Sequence, residues 1–109
     1  MSQASKYHNC KTIVQDIEFA SRKEAKRYQE LLWRQQAGEI QDLELQPRYD
    51  LVVNGHKLGF YKGDFRYKDV ATGQVITEDV KSKATRTAVY MLKKKLVNAL
   101  YGVEIREII

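Results

Sequence analysis

Residues 77–83 read TEDVKSK and place two acids and two lysines inside a stretch that otherwise has the pattern of a β-strand. A third acid, Asp64, lies upstream in GDFRY (63–67). Stretches 59–70 and 74–81 read as the arms of a hairpin around Thr72-Gly73. With a loop of two residues (Thr72-Gly73) or four (Ala71 to Gln74), Asp64 is set opposite Lys81, Arg66 opposite Asp79 and Phe65 opposite Val80. Asp64, Asp79 and Lys81 then share one face of the ladder, and Phe65 and Val80 share the other. A three-residue loop would slip the register by one and undo this. Two carboxylates held close together repel unless a cation neutralises them. Magnesium does so with oxygen ligands, keeps several waters and reaches phosphate oxygens. A lysine alongside orients or deprotonates an attacking water and offsets charge building on phosphorus. That chemistry is phosphodiester hydrolysis. The competing reading is a solvated hairpin face with an Asp64–Lys81 ion pair of little energetic weight.

Glu24 bears on the choice. A helix opens at Ser21 and runs to about Ala37, with Gly38 as its stop. Its apolar stripe is Ala25, Tyr28, Leu31 and Leu32, and Glu24 falls inside that stripe. Either Ser21-Arg-Lys-Glu24 is a capping box, with Glu24 returning a bond to the cap, or Glu24 is a third carboxylate aimed at the metal. Glu78 is the ambiguous neighbour: alternation with Lys81 selects Asp79, whereas a strand slip would present Glu78.

These residues need a scaffold. Residues 12–19 alternate Ile13, Gln15 and Ile17 as a short strand, and 43–53 form a strand interrupted by Pro47, at an edge or a bend. Asn54-Gly55 signals a turn. A second helix covers about Thr85 to Tyr101, with Val89, Leu92, Leu96, Val97 and Leu100 inward, and Gly102 ends it. Residues 103–109 close the order β-α-β-β-β-α-β, an α+β or mixed α/β domain. With no repeat or linker, 1–109 reads as one domain carrying a flexible basic arm at 1–11. Of the remaining polar and aromatic residues, His8 and His56 read as surface or loop residues, and Asp50 and Asp69 as strand ends. Gln46 is a contact to DNA or the site, or else strand-edge packing. Tyr90 and Trp33 read as packing residues.

The chain has 109 residues, 43% hydrophobic and 30% charged, the composition of an ordinary globular protein. It has no long apolar run and no signal-peptide pattern, which argues against membrane insertion and for a cytoplasmic protein. One cysteine, Cys10, excludes an internal disulfide and a cysteine-based zinc site. The net charge is +5. From Lys81 to Lys95 the charged residues are Lys81, Lys83, Arg86, Lys93, Lys94 and Lys95, with no acid among them, and the early helix adds Arg22, Lys23, Lys26 and Arg27. Clusters of this kind are an electrostatic footprint for a polyanion. Lys83, Arg86, Lys93 and Lys94 are the preferred phosphate contacts, with Lys6, His8 and Lys11 of the arm adding contacts that order on binding.

With Glu24, Asp64 and Asp79-Val80-Lys81 in this order, the sequence resembles the PD-(D/E)XK nuclease superfamily. More closely, it resembles a family of small phage and prophage proteins filed as a domain of unknown function. The stretches that carry the likeness are KYHN (6–9), FASRKEAKRYQELLWRQQAGEIQDLELQPRY (19–49), GDFRY (63–67), TEDVKS (77–82) and YMLKKKLVNALYGVEIREI (90–108), nearly the whole chain. The resemblance implies a restriction-endonuclease-like core: a central mixed sheet flanked by helices. It also implies hydrolysis of DNA that depends on Mg2+ or Mn2+. By position, Asp64 and Asp79 would be metal ligands together with the Val80 carbonyl, Lys81 the catalytic lysine, and Glu24 the helix-borne acid. Gly63 departs from the pattern, standing where the motif has proline. Holliday-junction resolvases of similar size act as dimers. Branched DNA in phage recombination or replication, a homodimer and the host cytoplasm are therefore the implied setting. So short a chain has little room for elements that read sequence, which favours structure-directed cutting. The alternatives are a non-catalytic phage DNA-binding or regulatory protein, and a nuclease acting on nicks, flaps or RNA.

Overall fold

The computed structural model describes residues 12–14 and 17–109. In chain order these form β1 (Thr12–Val14), β2 (Ile17–Phe19), α1 (Arg22–Gln36), β3 (Ile40–Leu45), β4 (Arg48–Val53), β5 (His56–Lys62), β6 (Phe65–Asp69) and β7 (Val75–Val80). A short 3-10 turn (Lys83–Thr85), α2 (Ala88–Tyr101) and β8 (Ile105–Ile108) complete the chain. Four strands make the central sheet in the order β3–β6–β7–β8, antiparallel except for the parallel β7–β8 pair that α2 connects. The β1–β2 and β4–β5 pairs are separate two-stranded ribbons.

Strand alternation gives this sheet two cores. On one face Phe65, Tyr67 and Ile76 meet Ala25, Tyr28 and Leu31 of α1, with Phe19 and Ile40 closing the cluster. On the other, Ile105 meets Tyr49, Leu51 and Tyr61 of the β4–β5 ribbon and Tyr90 and Val97 of α2. Each large aliphatic or phenylalanine side chain among them contributes about 1.5–3 kcal/mol by leaving water. The outcome is the mixed α+β architecture expected from the sequence, a central mixed sheet with a helix on each side.

Several details differ from the sequence reading. The strand expected over 43–53 is two strands in different sheets, because the chain turns out of the central sheet at Gln46-Pro47. Proline has no N–H for a ladder, and Gln46 takes a left-handed φ of 51°. The strand expected over 59–70 breaks likewise at Gly63-Asp64. The two corners are tied together: Gln46 N–H donates to the Asp64 carbonyl (2.9 Å) and Gly63 N–H to the Pro47 carbonyl (2.9 Å). The 12–19 segment holds two strands, and Asp50 lies inside β4 instead of at a strand end. The Asn54-Gly55 turn forms as expected, with both residues at positive φ.

Both helices also require correction. Trp33 is 60% exposed, since it falls off the Ala25–Tyr28–Leu31 stripe. The second helix starts at Ala88, capped by the Thr87 side chain accepting from Tyr90 N–H (3.1 Å). It buries Tyr90 and Val97, while Val89, Leu92 and Leu100 are exposed. Apolar residues occupy so much of this helix that two stripes overlap. The one that wins places the Tyr90 ring in the core and its hydroxyl on Glu107 (2.9 Å).

Candidate active site

The site forms where β7 ends. The β6–β7 ladder sets Phe65 opposite Glu78 and Arg66 opposite Thr77, two residues away from the expected pairing. The turn causes the shift. Asp69 N–H bonds the Gln74 carbonyl (2.8 Å), and the Asp69 carboxylate accepts from Ala71 N–H (3.2 Å) and the Thr72 hydroxyl (3.1 Å), which closes the tip around residues 70–73. An even displacement keeps each side chain on its face. Asp79 therefore stays with the Tyr61 side of the sheet, and Phe65 and Val80 stay with the α1 core. The expected Asp64–Lys81 opposition does not form; Lys81 Nζ lies 3.3 Å from Asp79 Oδ1 instead.

Asp64 precedes β6 and reaches over the end of β7. Its N–H donates to the Glu78 carbonyl (3.0 Å), and its Oδ2 accepts Val80 N–H at 2.6 Å. Asp79 is 5% exposed, and its Oδ2 accepts the Tyr61 hydroxyl. Lys81 is held on its other side by the Tyr90 ring, 4.1 Å from the centroid. From α1, Lys23 Nζ donates to the Lys81 carbonyl (2.8 Å), so the first turn of α1 is fastened to the end of β7.

Glu24 lies between the two readings of it. Ser21 Oγ does accept Glu24 N–H (3.1 Å), which is half of a capping box. The Glu24 carboxylate makes no return bond and lines the same cleft as Asp64, Asp79 and Lys81. Burial and then Asp79 raise its pKa, with Lys81 opposing. Asp64 feels the cluster more strongly. Burial pushes its carboxyl up to about 7; the Val80 N–H bond works against that rise, and the Asp79 and Glu24 charges add to it. Tyr61 is raised by burial and by its bond to Asp79, so it remains a phenol and donates.

Glu78 is not a site residue. It has no exposed surface and lies on the opposite face, where Arg27 Nε (2.8 Å) and Nη2 (2.6 Å) and the Tyr67 hydroxyl all donate to its carboxylate.

The cleft has a volume of about 460 Å³, and its wall includes Phe60, Lys62, Thr87, Val89 and Lys93 beside the carboxylates. A smaller hollow of about 220 Å³ adjoins it, where Gln46 stands near Glu24 and Asp64. Sequence reasoning missed Phe60, Tyr61 and Lys62. Their signal was the aromatic-basic run GFYK immediately before GDF. Of the expected phosphate contacts, Lys93 lines the cleft and Lys83 is exposed beyond β7. Arg86 (3.0 Å) and Lys94 (3.3 Å) are both bonded to Glu107. Lys6, His8, Cys10 and Lys11 lie outside the described residues, and His56 is exposed at the start of β5.

Gly63 has a local explanation. A Cβ at this position would sit 3.0 Å from Thr77 Cγ2 and 3.4 Å from both the Glu78 carbonyl oxygen and Pro47 Cγ. A proline would in addition lose the N–H that holds the Pro47 carbonyl.

Among the described residues, no group of three or more His, Cys, Asp or Glu side chains converges as a metal cage. The donor set is a pair, Asp64 and Asp79, with Glu24 close enough for its charge to act on Asp64. A carboxylate pair fits magnesium, which takes one or two protein carboxylates and keeps its remaining waters. Both Asp79 oxygens already have donors, so a cation there competes with Lys81.

The fold and site define a class: a mixed α/β domain with a carboxylate pair and a lysine in a cleft at the end of its central sheet. The chain belongs to the DUF1064 family, described as proteins of unknown function, whose family model matches residues 4–108. No curated protein and no solved structure matches it. No helix among the described residues is long and apolar enough to cross a membrane.

Proposed function

We propose that this protein is a metal-dependent DNA endonuclease of the PD-(D/E)XK kind. The observation that carries the reading is the meeting of Asp64, Asp79, Glu24 and Lys81 in one cleft at the end of β7, where burial and the Asp79 and Glu24 charges push the Asp64 carboxyl up to about 7. This is a carboxylate cluster short of a cation, with the Lys81 ammonium 3.3 Å from Asp79. Asp64 and Asp79, with the Val80 carbonyl and Glu24, would hold Mg2+ or Mn2+. Such an ion supplies Lewis-acid charge to a phosphate oxygen and acidifies bound water. The chain's own residues do the rest. Lys81, steadied by Asp79 and the Tyr90 ring, orients the attacking water and offsets charge on the phosphorus. Tyr61 fixes Asp79, and Lys83, Lys93 and Lys62, which has no ion pair among the described residues, take flanking phosphates. Branched DNA in phage recombination or replication is the preferred substrate, with a homodimer in the cytoplasm as its setting.

The test is cleavage of a four-way junction, a flap, plain duplex and RNA with Mg2+ or Mn2+. Asp79→Ala should abolish cutting while DNA binding persists, and unchanged cleavage would remove the catalytic assignment. Equal rates on all four substrates would sink the branched-DNA reading. One observation favours a second reading, a non-catalytic DNA-binding protein: Asp64 and both Asp79 oxygens already have donors within the chain. Titration with Mg2+ separates the two, because only the nuclease reading requires saturable binding that Asp79→Ala removes.

A further inference from the structure

The outer face of the β4–β5 ribbon carries a feature that the carboxylate chemistry does not use. The ladder pairs Arg48 with Lys62 and Asp50 with Phe60, so these four side chains share one face, opposite buried Tyr49, Leu51 and Tyr61. Phe60 is 39% exposed. The Arg48 guanidinium lies over its ring, 4.0 Å from the centroid, and Lys93 Nζ lies 5.5 Å away. Phe60, Lys62 and Lys93 line the same cleft as Asp64, Asp79 and Lys81. Lys62 has no hydrogen bond or ion pair among the described residues, and the one acid of the group, Asp50, is matched by Arg48 (3.2 Å) and Lys57 (3.8 Å).

An exposed ring with Lys62 and Lys93 beside it is poorly suited to a protein contact, whose buried centre is depleted of lysine. It suits a polyanion whose units carry flat π-faces, and base stacking on aromatic side chains between phosphate contacts is how single strands are gripped. A paired base keeps its faces inside the helical stack. We propose that Phe60, backed by Arg48, stacks an unpaired nucleobase at the mouth of the cleft while Lys62 and Lys93 hold the phosphates beside it. The strand is then open next to the phosphate presented to Asp64 and Asp79. This rests on the nuclease reading and names its substrate class: a strand unpaired at the cut, as in a flap, a splayed arm or the centre of a junction.

The experiment uses the full chain in chelator with a single-stranded oligonucleotide carrying 2-aminopurine, so that binding is read without cleavage. Binding should quench the 2-aminopurine fluorescence. Phe60→Ala should weaken single-strand affinity by about tenfold and abolish the quench. Phe60→Trp should retain both, and duplex affinity should change by less than about twofold. If Phe60→Ala binds and quenches like the parent chain, the platform is wrong. It is also wrong if that variant leaves binding unchanged but turns a self-associating protein into a monomer by sedimentation equilibrium, since the ring is then a contact between copies. Cleavage with Mn2+ is scored separately. A quench without metal-dependent cutting removes the nuclease and leaves the platform, and cutting of flaps that ignores Phe60→Ala does the reverse.

Discussion

Arg27→Met tests how the site is held from behind. Glu78 has no exposed surface, and its carboxylate takes two bonds from the guanidinium, at 2.8 and 2.6 Å, and one from Tyr67. Removing Arg27 leaves a buried carboxylate with a single neutral donor. Breaking a buried pair from one side costs about 3–5 kcal/mol, a large part of the ~5–15 kcal/mol that stabilises a domain. With 109 residues and an unfolding entropy near 2.1 cal/mol/K per residue, that predicts a Tm lower by about 13–22 °C. Thermal unfolding followed by circular dichroism measures it. Combining Arg27→Met with Glu78→Leu should recover most of the loss, as an apolar replacement of both partners often does. A single-variant loss below about 1 kcal/mol would reduce the pair to the rank of a surface ion pair and refute the reasoning. A double variant no more stable than the single would do so as well, by assigning the cost to the packing of the arginine stem.

Three further outcomes follow from the site. The folded chain keeps the Asp64 proton up to about 7, against an ordinary 3.8, so it binds a proton the unfolded chain has released. Stability in chelator should therefore fall as pH rises from about 4 to about 7, and Mg2+ should offset the fall; a Tm flat across that window would refute it. Tyr61→Phe removes a donor from buried Asp79 and should cost about 1.5–3 kcal/mol in denaturant unfolding; a loss under about 0.5 kcal/mol would mean that the phenol does not support Asp79. Gly63→Ala drives a Cβ to within 3.0 Å of Thr77 Cγ2 and should cost about 1–3 kcal/mol. Adding Thr77→Ser, which deletes that methyl, should return part of the loss.

What the sequence revealed follows the range of each signal. Helix ends are local, and Ser21, Gly38 and Gly102 marked them. The faces of the β6–β7 hairpin were legible through alternation alone: Asp79 and Lys81 to one side, Phe65 and Val80 to the other. Register was not, because loops of the same parity satisfy alternation equally and the Asp69 turn decides between them. The corners at Gln46-Pro47 and Gly63-Asp64 stayed hidden because both segments keep strand-like composition across the break. In α2 the apolar residues outnumber the inward positions, so the wheel alone could not select Tyr90 over Val89. Glu78 was opaque because its partner, Arg27, is distant in the chain and one of several cations on its helix.

Glu78 and Asp79 are neighbours on β7 with opposite surroundings of the same kind. Each carboxylate has one cation and one phenol: Arg27 and Tyr67 for Glu78, Lys81 and Tyr61 for Asp79. The difference lies in the cation. Arg27 grips through two nitrogens in a fixed fork, a geometry that satisfies both oxygens and leaves little to exchange. Lys81 offers a point charge on a flexible stem at 3.3 Å, a contact that a divalent ion or a phosphate oxygen can displace without leaving a bidentate bond broken. Glu78 is closed off behind the sheet, whereas Asp79 lines a cleft that Asp64 and Glu24 also line. An arginine at position 81 would convert the second arrangement into the first. Lys81→Arg should therefore preserve folding while weakening cation binding at the carboxylate pair, which isothermal titration with Mn2+ reads directly. Unchanged affinity would mean that the exchangeability of Lys81 plays no part in the site.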